Sequence, residues 1–166
     1  VVLSQNKFGQ YSIAKQLSHQ LHLPLISLEH TLPVHTWPQS RLNQLKAMRG
    51  HINVFISEYS RDKWGWKPDE AIVIHHGIDT NLFSPEPSVS KKQQICSVVN
   101  DFINRNYFCG FKLWQQVTNG LPVCPVGATP GFSRPAKDTS DLVNFYRESQ
   151  VFINTSQVSP IPTALL

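Results

Sequence analysis

Long hydrophobic runs are missing from this sequence: no apolar stretch approaches the roughly 18 residues that a membrane-spanning helix needs. An α-helical membrane span is thereby excluded. Cysteine is scarce and odd in number, and Cys96, Cys109 and Cys124 follow no metal-ligand spacing. They read as buried free thiols in a reducing cytoplasm, two of them inside strands. No dense Lys/Arg cluster is present, which argues against nucleic acid as a partner. Nothing like a signal peptide opens the sequence, because Val1–Ser4 already reads as a buried strand. The run Thr163-Ala164-Leu165-Leu166 is apolar and helical, with no cap or breaker. Both ends therefore read as cuts through folded structure. Internal repeats and low-complexity tracts are absent as well.

What is present is the composition of a globular protein, with 40% hydrophobic and 16% charged residues over 166 positions. That length suits one ordinary domain or the adjoining halves of two. Fifteen basic against eleven acidic residues leave a net charge of +4. The excess fits a solvated surface, or attraction to a diphosphate or an anionic membrane face.

Short apolar runs alternate with amphipathic stretches, the pattern of an α/β protein with parallel strands. Strands are expected at Val1–Ser4, Leu25–Leu28, Asn53–Ile56 and Ala71–Ile74. Helices are expected at Gln10–Leu21, with Ile13, Leu17 and Leu21 along one face, and at Gln39–Met48, which carries Leu42 and Leu45. Ser57 is placed to cap a short helix, with Ser60 three residues on. Ser84–Gln94 is rich in Ser, Pro, Glu, Lys and Gln and has no apolar period, so it reads as a linker. A second series follows: strand Ile95–Val99, helix Gly110–Val117, strand Pro122–Val126, helix Ser140–Arg147 and strand Val151–Ile153. Ligands of open α/β sheets gather at the carboxyl ends of strands, so the loops leaving each strand are the places to look for function.

The segment Ile72-Val73-Ile74-His75-His76-Gly77-Ile78-Asp79-Thr80-Asn81-Leu82-Phe83-Ser84-Pro85 resembles the strand-to-linker signature of family 4 glycosyltransferases. Its usual form is an apolar strand, Pro-Asn-Gly-Val/Ile-Asp, then Phe-x-Pro; here His75-His76 stand for the Pro-Asn. Locally, Gly77 permits a positive-φ turn, Asp79 can bond the backbone, and Phe83 would pin the crossing chain to a lobe. Three further pieces agree in order. They are Leu25–His30, ending in Glu29-His30; Val54–Arg61, matching a Ser-x-x-Ser-Arg segment; and Leu142–Ser156, with Tyr146 ahead of Val151-Phe152-Ile153-Asn154-Thr155-Ser156.

The resemblance covers nearly the whole chain and implies a GT-B-type α/β fold, with parts of two Rossmann-like lobes whose parallel sheets are joined by a linker. Residues 1–83 would be the C-terminal part of the acceptor-side lobe and 84–94 the linker. Residues 95–166 would then begin the nucleotide-sugar donor lobe. The implied activity is retaining transfer of a hexose from a UDP- or GDP-sugar to a carbohydrate or lipid-linked acceptor, in glycan biosynthesis. The nucleotide sugar is a co-substrate; no cofactor and no metal are implied. The implied setting is the cytoplasm, with peripheral contact at a membrane. The chain would be an internal fragment, and activity would belong to the parent enzyme.

The resemblance makes His30 the catalytic-position residue, placed at the acceptor side against the donor sugar. Arg105, Gly110, Lys112, Thr155, Ser156, Ser159 and Ile161 are the donor-binding positions. Two departures stand out. The first of the family's two Glu residues aligns with Ser159, and the second would lie beyond Leu166. The basic pair expected after Val99 aligns with Asp101 and Cys109, leaving Arg105 as the replacement, since a guanidinium fork can clasp phosphate oxygens. The family's glycine-rich loop would precede Val1. Trp64 and Trp66 read as packing residues, with an acceptor platform or membrane contact as alternatives. The loop Gly127–Pro135 reads as a nucleotide-base contact or a plain loop. Two other functions stay open: a GT-B epimerase or phosphorylase, and a non-catalytic relative that binds a nucleotide sugar or a protein.

Overall fold

A computed structural model of the chain describes residues 1–159. Contacts divide it into two α/β units, one over Val1–His76 and the other over Gly77–Val158. Each is built on a sheet whose strands are all parallel.

The first sheet has the order β1-β2-β3-β4, with β1 Val2–Ser4, β2 Leu25–Glu29, β3 Ile52–Phe55 and β4 Ile72–Val73. Leu25, Ser27 and Glu29 alternate along β2 and are all buried, so one face of the strand turns polar toward its carboxyl end. Helix α1 (Gln10–Gln20) joins β1 to β2, and α2 (Gln39–Lys46) joins β2 to β3. Helix α3 (Glu58–Lys63) starts on Ser57, whose Oγ accepts from Ser60 N at 3.1 Å while Ser60 Oγ donates to Ser57 O at 2.9 Å. The expected cap is therefore present. Leu45, Phe55, Trp64 and Trp66 form the larger core cluster, so both tryptophans are packing residues.

The apolar spacing of α1 does not mark its packed face. Ile13, Leu17 and Leu21 are 63%, 43% and 58% exposed, and Tyr11, Ala14 and Ser18 are buried instead. Small side chains let the helix lie close to β1 and β2, and Tyr11 Oη gains a bond to Arg49 O at 2.6 Å. The packing that saturates a polar group displaced the one that apolar spacing suggests.

In the second unit β5 (Lys92–Val98) lies centrally between β6 (Val123–Val126) and β7 (Ser149–Phe152). Helices α4 (Asn106–Cys109) and α5 (Phe111–Val117) follow β5, and α6 (Thr139–Glu148) precedes β7. Strand β5 begins inside the stretch read as linker, because Lys92 pairs in register with Ser149 and bonds Glu148, and Gln94 Nε2 donates to Ser149 Oγ at 3.1 Å. Those polar residues earn their strand conformation from side-chain partners. The crossing chain also belongs to this unit: Phe83 packs edge to face on Tyr146, and Arg147 donates to Leu82 O and Ser84 O. Asp79 Oδ1 accepts from Asn81 N at 3.0 Å, as expected. Gly77, however, is not among the positive-φ glycines, so the turn does not depend on it for that conformation.

Candidate functional site

The loops at the carboxyl ends of β5, β6 and β7 are tied to one another in the second unit. After β5, Asn100 Oδ1 accepts from Ala128 N at 2.9 Å, Asp101 N donates to Ala128 O at 2.9 Å, and Phe102 N donates to Thr129 Oγ1 at 3.0 Å. Phe102, Phe111, Trp114 and Phe132 pack as an aromatic cluster beneath these bonds, and Trp114 Nε1 donates to Ser97 Oγ at 2.7 Å. Gly127, with φ 138°, brings the β6 loop against Val99: a Cβ there would lie 2.1 Å from Val99 O. The loop Gly127–Arg134 is thus fastened to the loop after β5.

Gly110 is the hinge of the site. It ends α4 and opens α5 with φ 70°, and a Cβ on it would sit 2.2 Å from Thr155 O. Only glycine satisfies both the left-handed backbone and that approach. Thr155 Oγ1 donates to Cys109 O at 2.9 Å, and Gln157 N and Val158 N both donate to Phe108 O, at 2.8 and 3.2 Å. The segment after β7 is therefore laid along the α4 turn. This brings Arg105, Gly110, Thr155 and Ser156 to one end of the sheet. Ser156 N is held by Asn154 Oδ1 at 2.8 Å.

Arg105 is exposed, with Nη1 reaching Asn100 O at 3.4 Å. Its charge acts on the neighbouring Cys109 thiol: burial pushes that thiol up, Arg105 pulls it down and Asp101 raises it. Lys112 is exposed, but its backbone N–H already donates to Asn106 Oδ1 at 2.8 Å. Asn106 was not singled out by sequence, because its bond reaches across the α4–α5 turn. Ser159 is half-buried, and Ile161 lies outside the described residues.

His30 belongs to the first unit, exposed and directly after β2. Glu29, 1% exposed, accepts through Oε1 from Thr31 N at 2.9 Å and from Thr31 Oγ1 at 2.6 Å. Trp64 Nε1 donates to Thr31 O at 2.9 Å. The turn that carries His30 is therefore held from both sides. The burial of Lys7 has no signature in the sequence around it.

The three cysteines are free, and Cys96 and Cys124 face each other across β5 and β6. Burial, with Cys124 adding, pushes the Cys96 thiol up to about 11, which makes it a poor nucleophile. Among the described residues no group of three His, Cys, Asp or Glu side chains is placed to hold a metal ion. No helix among them is long and apolar enough to cross a membrane. The second unit also contains a cavity of about 870 Å³ lined by Phe83, Tyr146, Arg147 and Phe152 among others. No family model and no curated protein matches this chain at a significant level.

Proposed function

We propose that the chain is part of a GT-B-type glycosyltransferase resembling family 4. It would move a hexose from a UDP- or GDP-sugar to a carbohydrate or lipid-linked acceptor. The observation that carries this reading is the meeting of two motif pieces that are far apart in sequence. Phe83 of the strand-to-linker signature packs on Tyr146 of the Leu-x-x-Tyr block, with ring centroids 6.2 Å apart. Two pieces recognised independently thus form one packed unit.

In this account the second unit binds the donor. Arg105 supplies the positive charge for the diphosphate, and Gly110 lets the backbone at Thr155 and Ser156 approach the α4–α5 turn. In the transfer, the bond from the anomeric carbon to the diphosphate breaks and a bond to the acceptor oxygen forms with the same anomeric configuration. The acceptor proton passes to the leaving diphosphate. His30, on the first unit, holds the position that the resemblance gives to the acceptor side.

A non-catalytic nucleotide-sugar-binding relative is the second reading. It is favoured by Ser159 in place of a carboxylate and by the Lys112 N–H being taken by Asn106. Hydrolysis and transfer assays of the full-length parent protein over a panel of UDP- and GDP-sugars separate the two. Turnover with any donor supports the transferase. Saturable binding without turnover supports the binding protein.

A further inference from the structure

Lys7 is a lysine in an unusual place: its residue surface is only 3% exposed. Its Nζ donates to Met48 O at 2.6 Å and lies 5.3 Å from the centroid of the Trp66 ring. The charged groups acting on it are Glu29 and Arg49; Arg49 covers the same Trp66 ring at 4.2 Å and pairs with Glu70 at 3.0 Å. In the same unit, three buried polar atoms have no partner among the described residues: Ser27 Oγ, Glu29 Oε2 and Trp66 Nε1. Ser27 and Glu29 share one face of β2, and the residues bearing all three atoms are at least nine-tenths buried. Buried polar atoms are seldom left unpaired, and water commonly supplies the missing bonds. Here an indole N–H, a hydroxyl and a carboxylate oxygen lack partners in the unit that also buries the Lys7 ammonium.

We propose that Lys7, Ser27, Glu29 and Trp66 enclose a hydrated polar site that fixes the Glu29 carboxylate, and that Glu29 is the positioning residue for His30. The lever is short. Because the Glu29 side chain accepts from the N–H two residues on, it closes a ring of atoms around His30 and restricts that residue's backbone. The Thr31 hydroxyl adds a second bond to the same oxygen, and Trp64 holds the Thr31 carbonyl. With Oε1 committed to the turn, Oε2 is the oxygen left for the buried site and its cation. Burial lowers the Lys7 ammonium from 10.5 to about 8, with the Glu29 charge raising it and the Arg49 charge lowering it further. The Glu29 charge thus favours the ammonium form of Lys7 against the cost of burial.

The importance of His30 rests on the transferase reading, but the test does not use activity. Nuclear magnetic resonance of the whole chain reads the His30 imidazole directly. The unaltered protein should show one narrow set of His30 signals, and a cross-peak from the Trp66 indole N–H to a long-lived water. Glu29→Ala should broaden or split the His30 signals at temperatures where the protein is still folded. A purely structural role would lower the melting temperature and leave those signals alone. Glu29→Gln should restore the single set, because its carbonyl oxygen can accept from Thr31, while the Lys7 titration midpoint falls below that of the unaltered protein. If Glu29→Ala does not fold, Thr31→Val removes one clamp bond, leaves the buried charges in place, and should also disturb His30. Unchanged His30 signals in the folded variant tested overturn the positioning role. An unchanged Lys7 midpoint in Glu29→Gln, or no water cross-peak at Trp66, overturns the buried site.

Discussion

Phe83 and Tyr146 meet edge to face, their ring planes at 74° to each other. This contact fastens the crossing chain to the helix that leads into β7, and two hydrogen bonds from Arg147 to Ser84 O and Leu82 O reinforce it. Phe83→Ala should therefore destabilise the second unit by about 2 kcal/mol, less than a fully buried phenylalanine because Phe83 is half-buried. Thermal denaturation followed by near-ultraviolet circular dichroism measures it. A melting temperature equal to that of the unaltered chain would show that the crossing segment is not anchored there.

Gly110→Ala should cost about 2–3 kcal/mol, combining a left-handed backbone with a clash against Thr155 O. Asn at the same position should fare no better, because the Cβ is what collides. Chemical denaturation supplies the number, and a loss below about 0.5 kcal/mol would mean the α4 turn and the Thr155 segment part easily.

Lys7 makes stability depend on pH in an unusual direction. Its folded-state value is depressed from 10.5 to about 8, so between those values the unfolded chain holds a proton that the folded chain has lost. Unfolding then takes up a proton, and stability contributed by this group rises with pH through that window, by about 3 kcal/mol at most. Comparing urea midpoints at pH 8 and pH 10 isolates it when Lys7→Met is measured beside the unaltered chain. The variant should lack that rise; equal slopes would contradict the burial of the charge.

Arg105→Ala should weaken nucleotide-sugar affinity by about tenfold, the loss of one charge-assisted contact of roughly 1.5 kcal/mol. Arg105→Lys should recover only part of it, since a lysine keeps the charge without the fork. Equal affinities across the three proteins would remove Arg105 from the site.

Much of the fold was legible because strands and helices of this class carry distinct periods. Leu25-Ile26-Ser27-Leu28, Ser57 with Ser60, and Phe83 all stand where pattern and turn chemistry put them. Three features were not legible, each for a physical reason. The inward face of α1 is set by Ala14 and Ser18, whose small size permits close approach, while Ile13, Leu17 and Leu21 face outward. Lys92–Gln94 is a strand because of partners more than fifty residues away, at Glu148 and Ser149. The pairing of Gly110 with Thr155 likewise joins residues from two different loops, and spacing along the chain says nothing of such contacts. Of the candidate site, the residue types at the strand ends were readable. The burial of Lys7 was not.

The most direct measurement is a titration of the chain with UDP- and GDP-sugars, followed residue by residue in amide spectra. The account predicts saturable shifts at Arg105, Gly110, Thr155 and Ser156 with at least one donor, and their loss in Arg105→Ala. No shift at these residues with any donor would contradict a nucleotide-sugar site in the second unit.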